Sequence, residues 1–208
     1  MSMDRRHIIA ILRGITPEET IAVCETLVQS GITMIEVPLN SPRPIDSIRA
    51  AARALQGKAS VGAGTVLSAE EVDAVGAAGG TFVVSPDCND AVIARTLGCG
   101  LRSYPGIFSP TEAFRAIRAG AHALKLFPAE VLGAKGIKAI KAVLPPEMPL
   151  YAVGGASPEN FAEFLAAGCT GFGIGSYLYK PGAKLAEIAA RASAIVIAYD
   201  RAKGRPGA

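Results

Sequence analysis

The amino-acid sequence predicts an α/β fold, a (β/α)₈ barrel of the TIM type, on three observations. Eight short apolar runs recur along the chain, and Ala-rich stretches with a 3.6-residue period separate them. Strict alternation of strand and helix is typical of a parallel sheet covered by helices. The chain has 208 residues, near the lower size limit of such barrels. We therefore expect one domain over residues 1–208, with the polar residues 201–208 as a flexible tail.

The predicted strands are the apolar runs themselves. A doubly wound open sheet is the alternative, but it usually has fewer strands and a glycine-rich phosphate loop after the first. Here that loop reads RGITPEE, and the chain contains no GxGxxG, so the closed barrel is favoured. The runs are IIAILR from Ile8, MIEVPLN from Met34, SVGAGTV from Ser60, TFVVSP from Thr81, LRSYPGI from Leu101, ALKLFP from Ala123, LYAVGG from Leu150 and GFGIGS from Gly171.

The predicted helices carry start and stop signals. In TPEETIAVCETLVQSG we expect Thr16 as N-cap, Pro17 as first helical residue, Glu19 as capping-box partner and Gly31 as the stop. The stretches SAEEVDAVGAAGG, SPTEAFRAIRAG and SPENFAEFLAAG repeat this pattern after the third, fifth and seventh runs. Each helix therefore ends at a glycine and leads into the next strand.

The composition indicates which binding partners and which cellular compartment to expect for the protein. The net charge is +3, with basic and acidic residues interspersed, so we expect the protein not to bind nucleic acid. No apolar segment approaches the ~20 residues of a membrane span, and the N-terminal apolar run is too short for a signal peptide. The four cysteines show no CxxC pairing. We therefore expect a cytoplasmic protein that is not bound to a membrane.

Two charged residues lie in the middle of predicted strands, whereas Arg13 closes the first strand and Arg102 enters the fifth. Alternation of side chains places Lys125 on one face with Phe127, while Leu124 and Leu126 occupy the other; Glu36 is likewise opposed to its apolar neighbours. Both should therefore point into the barrel. They could form a purely structural ion pair, although desolvation makes such pairs weak sources of stability.

The catalytic interpretation uses the burial of Lys125. A desolvated amine, or one near a cation such as Arg13, loses its proton more easily and becomes a nucleophile for carbonyl carbons. We expect the pKa of Lys125 to be lowered and Glu36, the one carboxylate inside a predicted strand, to act as acid/base. The remaining lysines are interpreted as solvated surface, at positions 58, 135, 138, 141, 180, 184 and 203.

Substrate contacts are expected at the carboxyl ends of the strands. Arg13 could bind a carboxylate or phosphate in bidentate fashion, or act as a salt-bridge strut. Thr65 could bind a carboxylate, or simply favour the strand. The last two runs end in AVGGASPEN and GIGSYLY, where close backbone approach and free N–H groups suit a phosphate, although ordinary turns look similar. The phosphate candidates are Gly154, Gly155, Gly175 and Ser176, ahead of a possible short helix.

No cofactor or metal is expected. The two histidines, His7 and His122, lie near the starts of predicted strands, away from the expected site, and the cysteines are scattered. A zinc site would need a clustered ligand set.

Five stretches together resemble a known family. GITMIEVPLNSP, VGAGTVL, AHALKLFPAE, YAVGGASPEN and GIGSYLY resemble, in order, the bacterial aldolases that cleave 2-keto-3-deoxy-6-phosphosugar acids. The resemblance implies a compact (β/α)₈ barrel, a homotrimer and metal-independent Schiff-base chemistry. It assigns Lys125 as the Schiff-base residue and Glu36 as the acid/base, with Arg13 and Thr65 at the keto-acid end. The four phosphate candidates match the family's phosphate-binding positions. We also expect Phe127, which shares a strand face with Lys125, to contact the substrate.

Asn40 distinguishes branches of this family. Members acting on the gluconate-derived substrate tend to carry Arg here, so PLNSP implies the galactonate-derived acid, cleaved to pyruvate and D-glyceraldehyde 3-phosphate. The alternatives are the gluconate-derived acid, a sugar-phosphate isomerase or synthase that forms no imine, and a phosphate-sensing barrel without catalysis.

Overall fold

The predicted runs form parallel strands in a computed structural model that describes residues 6–205. Every strand residue is buried except Ser60 and Arg102, which are partly exposed, as expected for parallel strands covered on both sides. The strands are β1 (Ile8–Ile11), β2 (Met34–Pro38), β3 (Ser60–Gly64), β4 (Phe82–Val84), β5 (Arg102–Tyr104), β6 (Gly106–Ile107), β7 (Leu124–Leu126), β8 (Leu150–Val153) and β9 (Gly171–Ile174).

The sheet closes into a barrel through its fifth predicted run. The strand order is β5-β4-β3-β2-β1-β9-β8-β7-β6, and all pairs are parallel. The fifth run divides into β5 and β6 at Pro105, which has no N–H for the ladder. Its carbonyl accepts the backbone N–H of Lys125 at 2.8 Å, so the run that pairs with β4 also bonds to β7. The predicted closed barrel is confirmed, with nine strands from eight runs.

Helices follow the strands and cover the outside of the barrel. The four stretches predicted as helices all form helices, although the last of them begins only after a turn, at Phe161. The expectation that each helix ends at a glycine is wrong for the helix that ends at Lys141, which Ala142 and then Val143 follow. Gly133 interrupts the sixth with non-helical backbone angles. The helices are α1 (Pro17–Gln29), α2 (Pro44–Ala54), α3 (Ala69–Ala77), α4 (Asp90–Gly98), α5 (Pro110–Arg118), α6 (Ala129–Lys141), α7 (Phe161–Ala166) and α8 (Leu185–Ala202).

The predicted capping box of α1 is wrong. Thr16 is the N-cap by position, but its hydroxyl donates to Glu19 Oε2 at 2.9 Å instead of accepting a helix N–H. The other oxygen of Glu19 accepts the hydroxyl of Tyr179 at 2.5 Å. Glu19 therefore connects α1 to the loop after β9. Gly31 does end the helix region, with φ of 93°, a conformation that glycine adopts readily.

Side-chain alternation divides the core into two layers. Residues on the outer face of the strands, such as Ile35 and Leu124, pack with the helices in one extensive cluster. A smaller cluster fills the barrel interior below the carboxyl ends. Its members are Ile9, Met34, Phe82, Val84, Tyr104, Ala123 and Tyr151. Met34 and Ala123 lie two residues before Glu36 and Lys125, so this inner cluster forms the floor on which those two side chains rest.

The C-terminal segment is partly helical. Arg201 and Ala202 complete α8, and the backbone N–H of Arg205 donates to the carbonyl of Asp200 at 2.9 Å. Residues 206–208 lie outside the described residues, so the flexibility of 201–208 stays a prediction. Of the described helices, none has the length and apolar character needed to cross a membrane.

Candidate functional site

Glu36 and Lys125 point into the barrel, as side-chain alternation predicts. They lie in the middle of β2 and β7, and only 2% and 6% of their surfaces are exposed. The Nζ of Lys125 lies 4.8 Å from the ring centroid of Phe127, which shares its strand face. An acid and an amine are thus enclosed together at the carboxyl end of the barrel, where such folds carry their chemistry.

Burial shifts the pKa of each group toward neutrality. Desolvation raises the pKa of Glu36 to about 7, against the opposing effect of the positive charges on Lys125 and Arg13. Desolvation also lowers the pKa of Lys125; the Glu36 carboxylate opposes this change and the Arg13 charge adds to it. Near neutral pH, Glu36 can therefore both give and take a proton, and the amine form of Lys125 is more accessible than that of a surface lysine.

The carboxylate of Glu36 is positioned by packing against its neighbours more than by hydrogen bonds. Its Oε2 is buried and finds no hydrogen-bond partner among residues 6–205, and no ion pair joins it to Lys125 within that range. It lies directly against Gly64 in the neighbouring strand, where a Cβ would come within 2.5 Å of Glu36 Cδ. Gly64 therefore provides the space that the carboxylate occupies, and Oε2 keeps its capacity to bond a substrate.

Arg13, Asn40 and Thr65 form a polar group at the mouth of the barrel. The guanidinium of Arg13 donates to Asn40 Oδ1 at 2.5 Å and to Thr65 Oγ1 at 3.4 Å. These residues follow β1, β2 and β3, so three consecutive strand ends meet here. Thr65 has φ of 57°, which places it in the left-handed region that few non-glycine residues adopt. Arg13 remains exposed and carries free donors for an anion.

A cavity of about 670 Å³ opens beside this group, within the size range of small-molecule sites. It is bordered by six of the predicted residues, Arg13, Phe127, Gly154, Gly155, Gly175 and Ser176. The backbone N–H groups of Gly155, Ala156, Gly175 and Ser176 donate hydrogen bonds to no other residue in the described part of the chain. Unpaired N–H groups that border one cavity suit an anion such as phosphate.

Sequence reasoning missed several residues of this cavity. Ser157, Tyr179, Lys180 and Pro181 border it, although Lys180 was interpreted only as solvated surface. The predicted short helix after Ser176 is a single turn, because Leu178 and Tyr179 both bond the carbonyl of Gly175. The position of Lys180, four residues after Ser176, was the available signal.

Asn160 holds the other loop of the cavity. Its Oδ1 accepts the backbone N–H of Ser157 at 3.0 Å, and its Nδ2 donates to the carbonyl of Gly155 at 2.7 Å. The turn from Gly155 to Ser157 is thereby fixed at the border of the cavity. As for metals, residues 6–205 contain no group of three or more His, Cys, Asp or Glu side chains placed to hold an ion.

The chain matches the family model described as "Aldolase: KDPG and KHG aldolase" over residues 1–191. It is 47% identical over 195 residues to the 2-dehydro-3-deoxy-6-phosphogalactonate aldolase of Escherichia coli (strain K12), covering 94% of this chain and 95% of that protein. Identity to the 2-dehydro-3-deoxy-phosphogluconate aldolase of Treponema pallidum (strain Nichols) is 34% over 165 residues, covering 79% and 78%.

Solved structures of aldolases are also similar to this chain. The structure named "Native KDPGal structure" superposes with a TM-score of 0.94 at 45% identity, covering 98% of both chains. The KDPG aldolase of Legionella pneumophila, solved with pyruvate captured as a covalent carbinolamine, superposes with a TM-score of 0.84 at 25% identity, covering 91% of this chain and 94% of that one.

Proposed function

The chain belongs to the KDPG and KHG aldolase family and is an aldolase, and on that premise we propose that it cleaves 2-dehydro-3-deoxy-6-phospho-D-galactonate. The products are pyruvate and D-glyceraldehyde 3-phosphate. The observation that carries the proposal is the enclosed pair of Lys125 and Glu36, whose pKa values both move toward neutrality. The carbinolamine captured in the Legionella aldolase supports an amine nucleophile in this family.

Lys125 forms the covalent bond to the substrate. Its neutral amine attacks the C2 carbonyl to give a carbinolamine, and Glu36 donates the proton that lets the C2 oxygen leave as water. The resulting iminium carries a positive charge at nitrogen. Arg13 and Thr65 bind the neighbouring carboxylate and so orient C2 toward Nζ.

The carbon–carbon bond then breaks toward the iminium. Glu36, now ionised, accepts the proton of the C4 hydroxyl. The electron pair of the C3–C4 bond moves to form the C2–C3 double bond of an enamine, which neutralises the nitrogen, and C4 leaves as the aldehyde carbon of D-glyceraldehyde 3-phosphate. Protonation of C3 and addition of water at C2 release pyruvate and restore Lys125. The unpaired N–H groups of the two glycine loops support phosphate binding at the far end.

Trapping with pyruvate and borohydride tests the covalent step. Reduction of the imine should fix pyruvate irreversibly on Lys125, as shown by mass spectrometry of the peptides. Lys125→Met should abolish the adduct, whereas Lys138→Met, a substitution on the outer helix α6, should retain it. An adduct on another lysine would remove Lys125 from its role. A barrel isomerase, synthase or sensor that forms no imine would give no adduct at all.

The galactonate-derived acid is preferred over its gluconate-derived C4 epimer. Asn40 holds Arg13 through its Oδ1, and identity is 47% to the galactonate enzyme against 34% to the gluconate enzyme. A coupled pyruvate assay with both epimers, in the presence of EDTA, measures the preference. A higher kcat/KM for the gluconate-derived acid would reverse the assignment, and loss of activity with EDTA would contradict a metal-independent mechanism.

We also propose that the protein assembles as a homotrimer and acts in the cytoplasm. Large apolar side chains are exposed in the loops after β3 and β6, with 50% of Leu67 and 41% of Phe108 accessible, and a subunit contact would remove them from water. All four cysteines are free thiols, which fits a reducing compartment. Light scattering coupled to size exclusion would report the mass, and a monomer would refute the trimer.

A further inference from the structure

Lys180 borders the cavity from the loop between β9 and α8. The N–H groups of Leu178 and Tyr179 donate to the carbonyl of Gly175 at 2.9 and 3.0 Å, so the chain makes one helical turn here. Ser176 lies within this turn and Lys180 directly after it, and both border the cavity.

The backbone on each side of Lys180 is anchored. The hydroxyl of Tyr179 donates to Glu19 Oε1 at 2.5 Å, which ties the loop to α1. Pro181 packs against Gly14, where an added Cβ would come within 2.8 Å of the proline ring. Because both neighbours are held, the Cα of Lys180 stays at the edge of the cavity, and the ammonium moves only through the side-chain torsions.

The charges around the cavity favour an anion beside Lys180. The cavity is bordered by two cations, Arg13 and Lys180, and by no Asp or Glu. Arg13 bonds Asn40 and Thr65, whereas Lys180 makes no ion pair or hydrogen bond through its side chain within residues 6–205. Glu130 packs against Gly155 outside the lining, so a nearby cation would also offset its negative charge.

We propose that Lys180 binds the phosphate dianion of the substrate and sets the preference for the phosphorylated acid over its unphosphorylated counterpart. This inference rests on the proposed function. A phosphate monoester carries roughly −1.5 to −2 charges at neutral pH, and glycine N–H groups alone offer only partial positive charge. Lys180 supplies a full charge on a long side chain that reaches the oxygens without a rigid geometry.

Kinetics of Lys180→Gln test the proposal. The measurement is the ratio of kcat/KM for the phosphorylated keto-deoxy acid to kcat/KM for the unphosphorylated acid. We expect this ratio to fall roughly tenfold, the scale of one charge-assisted hydrogen bond, and Lys180→Arg to restore most of it. Lys184→Gln is the matched control, because Lys184 is an exposed lysine four residues further on that does not border the cavity.

Direct binding of glycerol 3-phosphate separates this inference from the aldolase assignment. Calorimetric titration should give a dissociation constant roughly tenfold higher for Lys180→Gln than for the wild type or Lys184→Gln. If the wild type binds glycerol 3-phosphate in this way but cleaves neither epimer, the proposed function fails while the role of Lys180 stands. An unchanged dissociation constant, or an equal loss on both acids, would overturn the role of Lys180.

Discussion

Substitution of Gly64 by Ala should disable Glu36, although residue 36 itself is unchanged. The new Cβ would lie 2.5 Å from Glu36 Cδ, whereas real Cβ contacts are seldom closer than 3.0 Å and usually exceed 3.4 Å. Glu36 Oε2 lies closer still to that Cβ position, so the carboxylate must move by roughly 1 Å or slightly more, and a displacement of that size costs up to about 10²-fold in rate. We expect kcat to fall about 10- to 100-fold. The positive-φ positions do not include Gly64, so the effect is steric.

A coupled pyruvate assay on Gly64→Ala, Gly98→Ala, Glu36→Gln and the double variant of Glu36 and Gly64 checks this reasoning. Gly98→Ala is the matched control, because an added Cβ at Gly98 meets nothing within 4 Å, and it should keep wild-type kcat. In a Glu36→Gln background, Gly64→Ala should cost little more, since both changes disable the same group. The reasoning is refuted if Gly64→Ala keeps kcat within threefold of the wild type, or if its full cost persists in the Glu36→Gln background.

Three further predictions follow from the site. Activity should rise with pH through about 7, where the Glu36–Lys125 pair gives up the first of its two protons and keeps the one that imine formation needs. Glu36→Gln should lower kcat by about 10² to 10⁴ and remove that limb of the profile; a retained limb would assign it elsewhere. The folded-state pKa of Glu36 is raised from 4.5, so its ionisation costs stability as pH rises from 4.5 to 7, and Glu36→Gln should shift the melting temperature more favourably at pH 8 than at pH 5. An equal shift at both pH values would contradict that pKa. Asn160→Ala removes two bonds that hold the Gly155 loop and should raise KM for the phosphorylated acid about three- to tenfold with a smaller effect on kcat; an unchanged KM would show that the loop holds its shape without Asn160.

The strand residues of the site could be predicted because alternation is a local property. Each of Lys125 and Glu36 has apolar neighbours on both sides in its strand, and that alternation is enough to place the two side chains inside a closed barrel. The meeting of Arg13 with Asn40 and Thr65 also follows, because consecutive parallel strands bring their carboxyl ends together. The fold itself rested on the repeat of strand and helix signals, each of which is read within about ten residues.

The loop contacts could not be predicted because they depend on packing between distant segments. Glu19 has the spacing of a capping-box residue, yet Tyr179, 160 positions away, takes one of its oxygens. Lys180 looks like any exposed lysine until the turn after Gly175 places it beside the cavity. The break at Pro105 likewise appears only once β4 and β7 compete for the same run.

The inner cluster beneath Glu36 and Lys125 closes one end of the barrel interior. Its seven side chains are buried and fill the interior toward the amino ends of the strands, so substrate and products enter and leave through the mouth. While a bound acid fills that opening, Glu36 and Lys125 can exchange protons only with each other and with the molecule being cleaved. The proton that Glu36 takes from the C4 hydroxyl is therefore retained long enough to be delivered to C3 of the enamine.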